Sequence, residues 1–317
     1  MSTDSTLPNG LISFGPNANC TLELCPLEAS LLQYRPNVPS TIVFMAVFGL
    51  STLLHTWQGV RTKTWGFMLS MISGCLLEII GYVGRMIIYD NPFDFNGFLM
   101  QIICITVAPV FFCSAIYVLL AQVINFIDPS ISRIKPQFFY WVFIPVDIVS
   151  LILQALGGAL SCVGTDHHAV EIGENISLAG LIFQVVTLVA FTALFADYVF
   201  RASRSPSRGR LTKGVNIFLG LLFASTLIIL VRCAYRIVEL GQGYFSAIFR
   251  NEGLFIGLES VTMCIAVLLL NAGHPGKVFS RKQTLEAKDS ESPFEYLPNG
   301  THEDISMDNM SEPQIKK

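Results

Sequence analysis

Seven apolar stretches, each about the 20 residues a helix needs to cross a bilayer, constrain this chain more than any other feature of its sequence. Inside a hydrocarbon layer every backbone N–H and C=O must be satisfied within the segment, so such runs fold as helices. They fall at about 38–57, 65–89, 97–126, 138–163, 176–200, 215–240 and 252–271. The expected fold is therefore all-α, a polytopic membrane protein with seven transmembrane helices. A soluble alternative fails on composition. Only 14% of the 317 residues are charged, against about 25% in ordinary soluble domains.

The loop charges predict an orientation. With the N-terminus outside and the C-terminus in the cytoplasm, the inner segments hold Arg61, Lys63, Arg133, Lys135, Arg201, Arg204, Arg208, Arg210, Lys213, Lys277, Arg281 and Lys282, and the outer ones only Arg35 and Arg250. Lys and Arg favour the cytoplasmic side. The basic loop 201–213 suits anionic inner-leaflet lipid. The net charge of −3 offers no field for nucleic acid. No basic segment precedes an apolar run at the N-terminus, which argues against a cleaved signal peptide.

Three parts follow: a polar outer arm (1–37), the membrane domain (38–276) and a tail rich in Ser, Asp, Glu and Pro (277–317), expected to be disordered. Asn19-Cys20-Thr21 is a glycosylation sequon on the arm. Asn175-Ile176-Ser177 is another, too close to the membrane for use. Cys20, Cys25 and Cys162 fall outside, where disulfides persist, and their pairing is open. The other five cysteines read as apolar filler.

Ionisable groups inside spans are costly and turn toward the bundle interior or a wet cavity. The second span carries Glu78, Tyr82 and Arg85; the fourth, Asp147 and Gln154; the sixth, Arg232, Tyr235, Arg236 and Glu239; the seventh, Glu252 and Glu259. Glu78/Arg85, Asp147/Gln154, Arg232/Glu239 and Glu252/Glu259 are each seven apart, close to two helical turns, so each pair shares a face. The economical arrangement turns all four stripes to one centre, with Glu78 and Glu259 near mid-depth. The simpler reading is structural, for example an Arg85–Glu239 pair that fixes the packing. The size of the set favours function, since one or two pairs suffice for assembly.

Pro109 and Pro145 interrupt the third and fourth spans, as packing kinks or as hinges. Gly157 and Gly158 permit close helix approach. His55 reads as a polar anchor at the inner end of the first span. His167-His168 lacks partners at metal-ligand spacing. No phosphate loop, retinal lysine, Asp-Arg-Tyr box, Asn-Pro-x-x-Tyr motif, His-rich box or nucleophile elbow is present. Nothing implies a cofactor or an enzyme.

Several stretches together resemble the fungal lipid-translocating exporter family, which includes sphingoid long-chain-base exporters and aminocholesterol-resistance proteins. They are Tyr34-Arg35-Pro36; 78–85, from Glu78 to Arg85; Ala108-Pro109-Val110 with Ala115-Ile116-Tyr117; 147–158, from Asp147 to Gly158; 180–184, ending at Gln184; 232–239, from Arg232 to Glu239; Gly241 and Gly243; Glu252; and His274-Pro275-Gly276. The likeness covers 34–276. One departure is Glu259, where the family usually has Asp.

The resemblance implies a transporter or flippase that moves amphipathic lipids or lipid-like toxic compounds across the plasma membrane. Its partners would be membrane lipids and an amphipathic small molecule. The expected head-group cavity is lined by Glu78, Arg85, Asp147, Gln154, Arg232, Arg236, Glu239 and Glu259, with acids in excess, which suits a cation. The alternative is a seven-span receptor or sensor regulating lipid asymmetry or stress resistance.

Overall fold

The ends of the helices follow local chemistry. Asn37 accepts from the Ser40 N–H (3.0 Å), with Pro39 in the first turn, and opens the first helix. Lys63 closes that helix in the left-handed region (φ 57°). Asp94, in the short acidic turn after the second helix, caps the third by accepting from the Gly97 N–H (2.6 Å). The structure is a computed structural model that describes Leu7 and residues 10–163, 167–204, 213–243 and 246–276. Most of the basic loop 201–213 and all of the tail 277–317 lie outside the described residues.

Seven helices are long and apolar enough to cross a membrane, which bears out the all-α, seven-span reading. Span 1 is Val38–Thr62, span 2 Trp65–Asp90 and span 3 Phe95–Ile127. Span 4 joins Phe138–Trp141 to Phe143–Val163, span 5 is His167–Arg204 and span 6 Lys213–Gly241. Span 7 joins Glu252–Leu254, a π-helical stretch Phe255–Val261, and Thr262–Ala272. Large apolar side chains such as Leu53, Leu69, Trp141 and Val186 stand exposed around the outside, where lipid replaces water as their neighbour.

Several expectations need correction. Span 5 begins at His167, not near 176, so His168, Glu171 and Glu174 are helical rather than loop. Its 38 residues make a rod of about 57 Å, longer than the roughly 30 Å hydrocarbon layer. The sequon at Asn175 is in this helix, and Ser177 is buried with its hydroxyl donating to the Gln154 carbonyl (3.0 Å). Span 4 breaks at Val142, because Pro145 brings no N–H to the Trp141 carbonyl. Pro109 instead sits inside an unbroken span 3. Cys20 pairs with Cys25, which settles that pairing.

Neighbouring spans pack as a closed ring, with span 3 the most buried. Gly157 lets spans 4 and 5 touch: a Cβ there would lie 2.4 Å from the Ser177 nitrogen. Gly158 has no such role, its nearest neighbour being 3.9 Å away. Tyr117, Phe139, Phe143, Phe191 and Phe195 fill the space between spans 3, 4 and 5, with Tyr117 and Phe191 4.5 Å apart. The arm covers the opposite end. Its Leu31 and Leu32 pack on Ile88, Phe98 and Phe249, and Arg35 holds the Tyr89 carbonyl (2.8 Å) and stacks over the Tyr89 ring.

Candidate functional site

The seven-residue spacing in spans 2 and 7 sets up an antiparallel ladder. Span 2 runs from Glu78 to Arg85 toward the arm, and span 7 runs back from Glu252 to Glu259. Arg85 therefore meets Glu252, at 2.8 Å, and Glu78 comes level with Glu259. This corrects the expected Arg85–Glu239 pair. Arg85 also lies over the Phe255 ring (4.2 Å) and reaches the Tyr34 hydroxyl (3.4 Å). Glu252 further accepts from the Asn37 N–H (2.6 Å), tying the arm to span 7. Burial pushes the Tyr34 phenol above its usual range, with Arg85 pulling it back.

Span 6 supplies the other two guanidiniums. Arg232 pairs with Glu259, both almost fully buried, and donates to the Ile105 carbonyl (2.8 Å). That carbonyl is free because its usual partner, four residues on, is Pro109, which has no N–H. The proline of span 3 thus builds the acceptor on which an arginine of span 6 docks. One turn further toward the arm, Arg236 pairs with Glu239 and reaches the Thr106 hydroxyl (3.2 Å). Tyr235 donates to Glu239 (3.2 Å). Spans 3 and 6 are joined at this level by these two arginines.

A crevice opens between spans 3, 6 and 7 under the arm. It is lined by Gln101, Ile105, Thr106, Arg236, Glu239 and Glu259, with Leu32 and Tyr34 from the arm. Its free space is about 20 Å³, room for about one water. Three of the eight expected site residues line it directly. Arg232 and Glu78 stand behind Glu259, and Arg85 stands beside Tyr34 at the rim. Two depart from the expected shared centre. Asp147 faces the interior but belongs to the aromatic core, accepting from the Tyr117 hydroxyl (2.9 Å). Gln154 turns to span 5 and donates to Gln184 (2.9 Å). A helix stripe faces whichever neighbour is close, and Gly157 brings span 5 against span 4.

The charge balance singles out one group. Arg85, Arg232 and Arg236 take Glu252, Glu259 and Glu239. Glu78, 1% exposed, is left with no cation paired to it and no hydrogen bond among the described residues. Among those residues no three His, Cys, Asp or Glu side chains gather as metal ligands. Tyr34, Gln101, Thr106 and Phe255 join the site beyond the residues expected from the sequence. A lone Gln in an apolar run is a usable signal, and Tyr34 stands in one of the stretches that carry the family resemblance; Thr106 and Phe255 give none. His55, expected as an anchor at the membrane edge, is fully buried, 6.3 Å from the His274 ring.

Asn19 lies in the arm just before the disulfide, its side chain accepting from the Ile12 N–H (2.7 Å).

Comparison with known proteins places the architecture. The chain is 30% identical over 285 residues to the sphingoid long-chain base transporter RSB1 of Saccharomyces cerevisiae, covering 78% of this chain and 74% of that protein. It is 28% identical over 217 residues to Protein RTM1 of the same yeast, covering 67% and 68%. It is 27% identical over 275 residues to the lipid-translocating exporter-like protein RTA1 of Leptosphaeria maculans, covering 79% of this chain and 52% of that one. No solved structure matches. The family model described as RTA1 like protein matches residues 71–282, which span every charged group of the ladder from Glu78 to Glu259. The chain belongs to the RTA1-like family.

Proposed function

We propose that this protein is a transporter that moves amphipathic lipids, sphingoid long-chain bases and related cationic amphiphiles first among them, across the plasma membrane. The observation that carries the reading is the crevice between spans 3, 6 and 7, where Arg236, Glu239 and Glu259 meet at one opening in a membrane bundle. Supporting it are the relatives, named as a long-chain base transporter and a lipid-translocating exporter-like protein. Those names favour transport over the receptor alternative.

The head group enters at the crevice while the acyl chain stays in lipid. In the described conformation the space holds about one water, so the resting state is closed, and binding requires spans 3 and 6 to part. The bonds to be exchanged are those of Arg232 to Ile105 and Arg236 to Thr106. Glu78, Arg85, Arg232, Arg236, Glu239 and Glu259 form the binding surface, and Asp147 and Gln154 support the bundle beside it. Protonation of Glu78 or Glu259 is the candidate driving step. The chain carries out no chemistry on its substrate. The N-terminus lies outside with Asn19 glycosylated, and the C-terminus lies in the cytoplasm, as the loop charges favour.

The test is flip of a fluorescent long-chain base in proteoliposomes holding only this protein, beside Arg236→Ala. Flip by the wild type that is lost in the folded variant supports the reading. No flip above empty liposomes, from folded and reconstituted protein, refutes transport of that substrate.

A further inference from the structure

Behind the crevice, spans 2 and 7 bring together four buried oxygens. Tyr82 is one turn beyond Glu78 on the same face of span 2. Glu259 and Ser260 are adjacent in the π-helical stretch of span 7. Tyr82 comes within hydrogen-bonding reach of Ser260 and within electrostatic reach of both carboxylates, as Glu78 is of Glu259 and Arg232. All four residues are 1% exposed or less. Yet Glu78 Oε1, the Tyr82 hydroxyl, Glu259 Oε2 and Ser260 Oγ each lack a completed hydrogen bond among the described residues. Leaving four such atoms dry and unsatisfied is costly, and their convergence points to a ligand.

The chemistry of that ligand follows from the set. Two carboxylates face one guanidinium, Arg232, so the site is short of one positive charge. The ligating atoms are oxygens only, which suit a hard cation rather than a transition metal. Two carboxylates and two neutral hydroxyls are too few charges for a divalent ion beside an arginine. A proton on Glu78 makes one hydrogen bond and so serves at most two of the four oxygens; a compact metal cation engages them all. The surroundings complete the cage. Span 1 contributes the rings of Phe44 and Phe48 against Tyr82 (5.6 and 6.0 Å). Span 2 adds Cys75, span 3 Cys104 and span 7 Cys264, each near Glu78. Span 6 adds Arg232 and, further out, Arg236. A helix that departs from α geometry at mid-membrane is where transporters of other folds hold coupling ions.

We propose that Glu78, Tyr82, Glu259 and Ser260 form a binding site for one monovalent metal cation of sodium size, which competes with a proton for Glu78. As a coupling site it rests on the transport reading; as a binding site it stands without it. An ion held there bridges span 2 to span 7 directly behind the carboxylate that lines the crevice. Its arrival or departure therefore changes the charge offered to a head group.

The test reads binding alone. Thermal unfolding of the detergent-solubilised full chain is followed in NaCl and in N-methylglucamine chloride at equal ionic strength, from pH 8 to pH 5, for wild type, Glu78→Gln and Tyr82→Phe. Tyr82→Phe removes one ligand oxygen and keeps the ring stacked in place. Sodium is expected to raise the wild-type midpoint, with an apparent affinity that weakens about tenfold per pH unit once protons compete. Glu78→Gln should abolish the effect, and Tyr82→Phe should shift the sodium titration to higher concentration. Equal midpoints in the two salts at every pH overturn the proposal. So does stabilisation by acid alone, which would make the site a proton site only. Loss of flip without loss of the sodium effect would leave the ion site standing and the transport reading refuted.

Discussion

Removing one partner of the Arg232–Glu259 pair should damage this protein more than removing both. The two side chains are 3% and 1% exposed, so neither charge has water to fall back on. Breaking such a pair from one side costs about 3–5 kcal/mol, because the remaining charge stays buried and uncompensated. For Arg232→Met the lower end, about 3 kcal/mol, is expected, since Arg236 is within electrostatic reach of Glu259 and partly substitutes. Glu259→Gln should cost a similar amount, leaving Arg232 with the Ile105 carbonyl as acceptor. In Arg232→Met/Glu259→Gln neither member of the pair is left charged, and the attraction of Arg232 for Glu78 is lost in the double variant as it is in Arg232→Met. What is lost is mainly the bond to Ile105, about 1 kcal/mol. The double variant should therefore be more stable than either single one, with a coupling energy above about 2 kcal/mol. Equilibrium unfolding in mixed micelles of dodecylmaltoside and sodium dodecyl sulfate measures all four proteins. A double variant whose loss equals the sum of the two single losses, within about 0.5 kcal/mol, would refute the buried pair.

Pro109→Ala restores the helical bond to Ile105 and removes a residue that costs up to about 3 kcal/mol in a helix interior; stability should rise while flip quickens, because Arg232 loses sole use of the carbonyl it must release for spans 3 and 6 to part, and unchanged flip would count against the docking role. Gly157→Ala should destabilise the protein and Gly158→Ala should not, because an added methyl group meets its nearest neighbour at 2.4 Å in the first and 3.9 Å in the second; thermal unfolding of the pair decides it. Asn19→Gln should remove a glycan-dependent shift in gel mobility and Asn175→Gln should leave it, because Asn175 is within the helix His167–Arg204. Arg133→Ala, which breaks an exposed pair with Asp197 (2.8 Å), should leave stability unchanged.

The spans and the charged stripes are legible in the sequence for the same reason. In an apolar run every ionisable residue stands out, and a spacing of seven fixes which ones share a face whatever the helix packs against. Which stripe meets which is not legible. That depends on the rotation and order of the spans, so Arg85 pairs with Glu252 rather than Glu239, and Gln154 meets span 5 rather than the centre. Hydropathy marks where lipid stops, not where a helix stops, which is why the expected span 5 is about three and a half turns too short. The π-helical turn at Glu259 leaves no mark, since it changes hydrogen-bond register and not composition.

The consequence of that turn bears on why Glu78 is unpaired. Three arginines and four carboxylates gather between spans 2, 6 and 7, and each arginine closes on a glutamate of span 6 or 7. Assembly is served by those three pairs, and burying a fourth carboxylate beside them adds only desolvation cost. A π-bulge is itself less favourable than continued α-helix and is frequent at functional positions. Two independent costs therefore meet at one place, the unpaired acid on span 2 and the irregular turn on span 7 that faces it. Packing alone explains neither. A site that must accept and release a single positive charge explains both, because Glu78 keeps a charge that no arginine closes, while Glu259, paired with Arg232 through one oxygen, still presents the other.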